Sequence, residues 1–104
     1  MSENIQKIID EKESVLLYFW GDNCGVCKAL RPKIDREFSQ SFPDMERLYV
    51  NAEENKELAA NFSVFTIPTV LVFLQGKEFA RESRNMSVDG LIEKVTRPYS
   101  IMKS

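Results

Sequence analysis

Trp20-Gly-Asp-Asn-Cys-Gly-Val-Cys-Lys28 carries both cysteines of the chain, Cys24 and Cys27, and follows directly on the apolar run Val15-Leu-Leu-Tyr-Phe19. That run is apolar on both alternating faces, as in a strand covered by helices on each side. After it, Cys27, Leu30, Ile34 and Phe38 recur at intervals of three and four, which marks a long helix from Cys24 to about Gln40 with one buried stripe. Pro32 falls inside this helix and is expected to kink it. The two thiols therefore stand where a central strand, Ser14 to Trp20, hands over to a helix, the place where open α/β sheets present their functional groups.

On the N-terminal side, Ile5, Ile8 and Ile9 follow Ser2, a candidate N-cap, so residues 3–12 read as a short amphipathic helix. On the C-terminal side, Glu46 to Asn51 reads as a second strand, and Glu54 to Phe62 as a helix with Leu58, Ala59 and Phe62 inward. Thr69-Val-Leu-Val-Phe-Leu74 is a third strand, and Gln75-Gly76-Lys77 turns it into a weaker fourth, Glu78 to Glu82. Ser87 caps a last helix that buries Val88, Leu91, Ile92 and Val95 and is expected to stop at Pro98. Strands separated by helices imply parallel pairing through right-handed crossovers, with the hairpin adding an antiparallel edge. Residues 1–98 make one domain; residues 99–104 are read as a short flexible tail, with Tyr99 and Ile101 available to dock on it.

At 104 residues the chain has room for a single core, one that hides somewhat over ~60% of the unfolded surface. With 43% hydrophobic and 29% charged residues it is globular rather than disordered. Fourteen basic against sixteen acidic residues leave no electrostatic reason to bind nucleic acid or an anionic membrane. The first residues lack a basic head followed by an apolar segment, and no run approaches ~18 apolar residues, so a cytoplasmic chain is expected. A reducing compartment does not keep structural disulfides, which leaves a local, reversible pair as the use for the two thiols. The absence of histidine removes Ser-His and Cys-His nucleophiles and His-ligated metal.

Cys24, at the helix start, faces four unpaired N–H groups and the positive end of the helix dipole. If the dipole is worth up to ~2 kcal/mol there and a pKa unit about 1.4 kcal/mol, a thiol near ~8.5 drops by roughly 1.5 units. The thiolate fraction at pH 7 then rises from a few per cent to about half. Lys28 and Asp22 are expected to be exposed and to tune this only slightly. Cys27, one turn on and facing the core, keeps a higher pKa and suits the role of resolving a mixed disulfide that Cys24 forms first. Two other readings stay open: inert thiols, or a dimer-bridging metal or iron–sulfur cluster that takes two thiolates from each copy.

Phe19-Trp-Gly-Asp-Asn-Cys-Gly-Val-Cys-Lys28, with Pro32 behind it, resembles the active-site segment of the thioredoxin family. Phe65-Thr-Ile-Pro-Thr-Val-Leu-Val-Phe73, with Gly76 in the next turn, is similar to the segment in which that family holds a cis-proline against its dithiol. The resemblance runs from about residue 14 to 97. It implies a thioredoxin-like α/β fold: a central four-stranded mixed sheet flanked by four helices, without the usual first strand. It also implies a redox disulfide between Cys24 as nucleophile and Cys27 as resolving thiol, with Pro68 beside them. The backbone of Ile67 would pair with an extended substrate segment, and Trp20, Gly25, Val26, Thr66 and Ile67 would form the contact surface.

Departures from the family pattern bear on rate and specificity. Tyr18 stands where the family has a buried aspartate that moves protons at the second cysteine, and Tyr49 where it has a lysine on the next strand. Tyrosine is a poor base at neutral pH and a good donor. Resolution by Cys27 is then expected to rely on water or on a Tyr18 hydroxyl contact, with slower turnover. Asn23 and Val26 replace the usual tryptophan and proline and alter the docking surface. Arg84, near a position that is commonly glycine beside the groove, and Arg81 are candidates for favouring acidic partners. Arg31, Lys33 and Arg36 read as a solvated helix face, and Glu53-Glu54 as charge at a helix start. The expected activity is reduction of protein disulfides by a monomer that needs no cofactor and no metal and is restored by an external reductase such as a thioredoxin reductase. The alternative is a binding module for a dedicated partner, with the dithiol slow or idle.

Overall fold

In a computed structural model of the chain, which describes the backbone of residues 2–104 and side chains from residue 4 onward, strand β1 (Ser14–Trp20) is buried at every position but its last. Its side chains divide by parity, as a pleated strand requires. Leu16 and Tyr18 enter one core and Val15, Leu17 and Phe19 the other. Helices α2 (Gly25–Ser41) and α4 (Val88–Lys103) close the first face with Ile34, Phe38, Leu91 and Val95. Helices α1 (Ser2–Glu11) and α3 (Lys56–Asn61) close the second with Ile5, Ile9, Leu58 and Ala59. Ser2 lies within α1 rather than ahead of it, and the side-chain cap read for it falls outside the described residues.

Strands β2 (Glu46–Asn51), β3 (Thr69–Leu74) and β4 (Lys77–Ser83) complete a mixed four-stranded sheet in the order β2-β1-β3-β4. β1 and β2 are parallel, with Tyr18 opposite Tyr49. β3 runs antiparallel to β1, where alternation of strands and helices implies parallel pairing. The length of α3 explains the difference. Six helical residues rise about 9 Å, whereas returning the chain along a six-residue strand takes about 20 Å. The chain therefore enters β3 at the end of the sheet where it left β2. That end also holds the exit of β1 and both cysteines.

The last helix passes Pro98 instead of stopping there and continues to Lys103, so residues 99–103 belong to the helix rather than to a flexible tail. An interior proline costs ~3 kcal/mol. Beyond it the Tyr99 side chain is buried, with its ring 4.9 Å from that of Phe42, and Lys103 Nζ lies 3.2 Å from Asp44. These contacts offset the proline, while Ile101 stays on the surface.

Candidate active site

Cys24 is the N-cap of α2, in an extended conformation (φ −103°, ψ 98°), and its Sγ accepts the backbone N–H of Cys27 at 3.2 Å. Cys24 is half-buried and Cys27 almost fully covered. The two are joined as a disulfide with Cα atoms 5.2 Å apart, within the span such a bond tolerates. The same N–H and the unpaired donors of the first helical turn are available to a Cys24 thiolate after reduction. Lys28 and Asp22 are both exposed, as their place in the turn implies.

Register brings the second motif to the first. Thr69 pairs with Phe19, which leaves Pro68 one step further on, level with the exit of β1. The Ile67–Pro68 peptide is cis and Pro68 is buried. Among the described residues the N–H and C=O of Ile67 make no hydrogen bond within the chain. The Ile67 side chain lies on Gly21, so closely that a β-carbon there would sit 2.5 Å from Ile67 Cδ1. Glu53 closes the other side: its Oε1 accepts the Asp22 N–H at 2.8 Å. Glu53 thus ties down the cysteine turn rather than charging a helix start, since α3 begins only at Lys56.

Around this junction Gly25, Val26 and Thr66 are exposed, Ile67 is half-buried, and Trp20 packs into the α2/α4 core with part of its ring free. A β-carbon on Gly25 would meet nothing within 4 Å. Gly25, Val26 and Thr66 are thus open to solvent, and Trp20 less so. Sequence reasoning treated Phe65 only as part of a motif, yet it is 80% exposed. An aromatic residue between Val64 and Thr66 gives no local sign of which way it points; its position beside the cis-proline motif was the available signal.

Beneath the pair, the Tyr18 hydroxyl donates to the carbonyl oxygen of Cys27 at 2.9 Å, not to its sulfur. Burial pushes Tyr18 up to about 12, with the Arg31 charge pulling the other way, so it stays protonated at neutral pH. The Tyr49 ring meets that of Tyr18 edge-on at 6.0 Å. Arg31, read as a solvated charge, lies with its guanidinium 4.1 Å from the centre of the Tyr49 ring. An aromatic pair capped by a cation occupies the place where the family resemblance implies a charged pair. Arg81 is consumed by structure: it pairs with Glu78 at 2.8 Å and donates to the carbonyls of Phe62 and Ser63. Arg84, by contrast, has φ +46° and faces the groove beyond Ile67.

Comparison with known proteins agrees with this geometry. The chain is 34% identical over 98 residues to the thioredoxin-like protein YdfQ of Bacillus subtilis, covering 94% of this chain and 87% of that one. The solved thioredoxin of Fasciola hepatica is 31% identical with a TM-score of 0.79 over 92% of each chain. Thioredoxin 1 of Thermosipho africanus is 33% identical with a TM-score of 0.76, over 86% of this chain and 99% of its own. Since the Thioredoxin family model matches residues 1–97, and the capped cysteine pair and the Ile67–Pro68 bond lie within that span, the chain belongs to the thioredoxin family of thiol–disulfide oxidoreductases.

Proposed function

We propose that this chain reduces disulfides in other proteins through a Cys24–Cys27 dithiol cycle. The Cys24 thiolate attacks one sulfur of the substrate disulfide, forms a mixed disulfide and releases the other substrate sulfur as a thiolate, which takes a proton from water. Cys27, deprotonated, then attacks Cys24 Sγ, closes the internal disulfide and releases the second substrate thiol. Two electrons and two protons pass to the substrate, and an external reductase, such as a thioredoxin reductase, returns them. The observation that carries this reading is the Cys27 N–H directed at Cys24 Sγ from the first turn of α2, which favours the thiolate of the outer cysteine. Trp20, Gly25, Val26, Thr66, Ile67 and Pro68 hold the substrate, with the unpaired backbone of Ile67 as the anchor for an extended segment. The protein acts as a monomer in the cytoplasm, where its dithiol is kept reduced.

Insulin reduction driven by dithiothreitol is the test. The wild-type chain accelerates it, Cys24→Ser abolishes the acceleration, and Cys27→Ser accumulates a mixed disulfide with substrate. Insulin reduction untouched by Cys24→Ser would overturn the proposal. The direction of electron flow is checked by the reduction potential of the pair, expected near about −270 mV for a reductant. A second reading, a binding module with a slow dithiol, draws on the Tyr18 hydroxyl being spent on a backbone carbonyl and so giving no help to the Cys27 thiol. A wild-type rate no faster than dithiothreitol alone would favour it.

A further inference from the structure

Past Ile67 the surface continues into a groove of about 480 Å³ lined by Phe65, Thr66 and Ile67 of the 64–67 loop, by Lys56 and Ala59 of α3, and by Arg84. Its size suits one or two side chains of a bound segment. Arg84 enters it from an unusual backbone. Its φ of +46° lies in the left-handed region, which a β-carbon disfavours. The conformation is pinned by the Arg84 N–H donating to the Pro68 carbonyl at 2.9 Å, one step beyond the Thr69–Ser83 pair that ends the β3–β4 ladder. Ser63 and Gln75 also stand in the left-handed region, so the backbone alone assigns no task; what sets Arg84 apart is that its side chain lines the groove.

The charges of the groove say which task. Among the described residues no carboxylate lies within 4 Å of Lys56 or Arg84, although ion pairs occupy Arg47, Arg81 and Lys94 elsewhere. Glu53, the one acid lining the groove, has an oxygen committed to the Asp22 N–H. The groove thus offers apolar surface at Phe65 and Ile67 and two cations that make no ion pair among the described residues, which outnumber its single carboxylate, Glu53. We infer that Arg84 is a specificity residue that selects oxidised-protein segments bearing a carboxylate side chain near the half-cystine attacked by Cys24. In an extended segment paired with Ile67, side chains two residues apart share a face, so the carboxylate belongs two positions from the half-cystine.

This inference rests on the disulfide-reduction reading, and one experiment separates the two. Disulfide-bonded peptides that differ only in carrying Glu, Gln or Lys two positions from the half-cystine are reduced by the wild-type chain with dithiothreitol as the electron source. The Glu peptide is expected to have a kcat/KM roughly five-fold above the Gln peptide, as for an exposed ion pair at its strongest, with the advantage fading in molar salt. In Arg84→Gly the ratio of Glu to Gln peptide falls to less than half its wild-type value, Lys56 remaining as a cation of the groove, while the melting temperature rises, because the left-handed backbone no longer carries a β-carbon. Arg84→Glu reverses the order and favours the Lys peptide. Turnover without a preference for Glu, or a preference unchanged in Arg84→Gly, overturns the assignment of Arg84. No turnover of any peptide by the wild-type chain overturns the disulfide-reduction reading itself.

Discussion

The hydroxyl of Tyr18 and the carbonyl oxygen of Cys27 are 2.9 Å apart and hydrogen-bonded inside the protein core. The central strand is thereby fastened to the first turn of the cysteine helix through the backbone of Cys27. Nothing in that bond assists ionisation of the Cys27 thiol. With Tyr18 protonated up to about pH 12, it is no base for the Cys27 thiol, and in the proposed cycle that proton passes to water. Tyr18→Asp is expected to supply a base. Burial and the facing carbonyl raise the carboxyl of such an aspartate toward neutrality, where proton transfer is most effective. Release of substrate from the mixed disulfide then quickens by on the order of ten-fold, a small share of what a positioned base can give. Single-turnover reduction of a labelled mixed disulfide measures it, and an unchanged rate would show that deprotonation of Cys27 does not limit the cycle.

The same hydroxyl makes stability pH-dependent at the alkaline end. Folding raises Tyr18 from 10.0 to about 12, chiefly by burial. Its neutral form is therefore favoured in the folded state, and the contribution is complete below about pH 10 and disappears as the pH approaches 12. Urea unfolding of the wild-type chain is expected to lose about 2 kcal/mol across that window. Tyr18→Phe gives up about 1 kcal/mol at pH 7 with the hydrogen bond, and its stability falls less steeply above pH 10. Equal slopes for the two proteins would assign the alkaline loss to another group.

How much of this was legible depended on the range over which each feature is decided. Burial of β1 and the placing of Cys24 and Cys27 at a strand-to-helix turn are local, and the unbroken apolar run Val15 to Phe19 and the spacing of Cys27, Leu30 and Ile34 carry them. The sense of β3 is not local. It turns on α3 ending at Asn61, while Leu58, Ala59 and Phe62 have the same periodicity in a longer helix; Phe62 packs inward from just past the helix end, 5.9 Å from Phe73. The family resemblance put Tyr18 near the second cysteine, but the atom its hydroxyl reaches depends on how the strand and helix are spaced. The run of α4 through Pro98 was hidden for a related reason. The proline signal is local, whereas the contact that outweighs it joins Tyr99 to Phe42, far earlier in the chain.

Gly21 tests the junction between the cysteine turn and Ile67. A β-carbon at this position would come within 2.5 Å of Ile67 Cδ1 and 2.8 Å of Glu53 Oε1. Both obstacles are the far ends of flexible side chains, so Gly21→Ala folds, at a cost of about 1 kcal/mol as the Glu53 bond to the Asp22 N–H is lost. Function suffers more than stability, because the displaced Ile67 side chain belongs to the surface proposed to contact substrate. The kcat/KM for protein disulfides is expected to fall about ten-fold, a loss of ~1.4 kcal/mol in transition-state binding. Urea unfolding and insulin reduction measured on the same preparation separate the two effects. A variant with full activity and the same small loss of stability would remove Ile67 from the substrate site.

Tyr49 offers the opposite experiment, a substitution that stabilises. Its ring is held between Tyr18, edge-on at 6.0 Å, and the Arg31 guanidinium at 4.1 Å, and neither contact uses the hydroxyl. That oxygen is buried without a hydrogen-bond partner among the described residues. Leaving a buried polar group unpaired costs about 1–3 kcal/mol, and replacing it by an apolar group of the same shape recovers part of that. Tyr49→Phe keeps the ring, the edge-on contact and the face under Arg31, because the attraction of a cation to an aromatic face survives the loss of the hydroxyl. A gain of about 1 kcal/mol is expected, a rise of roughly 4–8 °C in Tm for a domain of this size. Tyr49→Leu removes the aromatic face as well and is expected to fall below the wild type. The Tm order Phe, then Tyr, then Leu at position 49 identifies the ring as the stabilising part and the hydroxyl as the cost; Tyr49→Phe melting below the wild type would show instead that the hydroxyl contributes a bond.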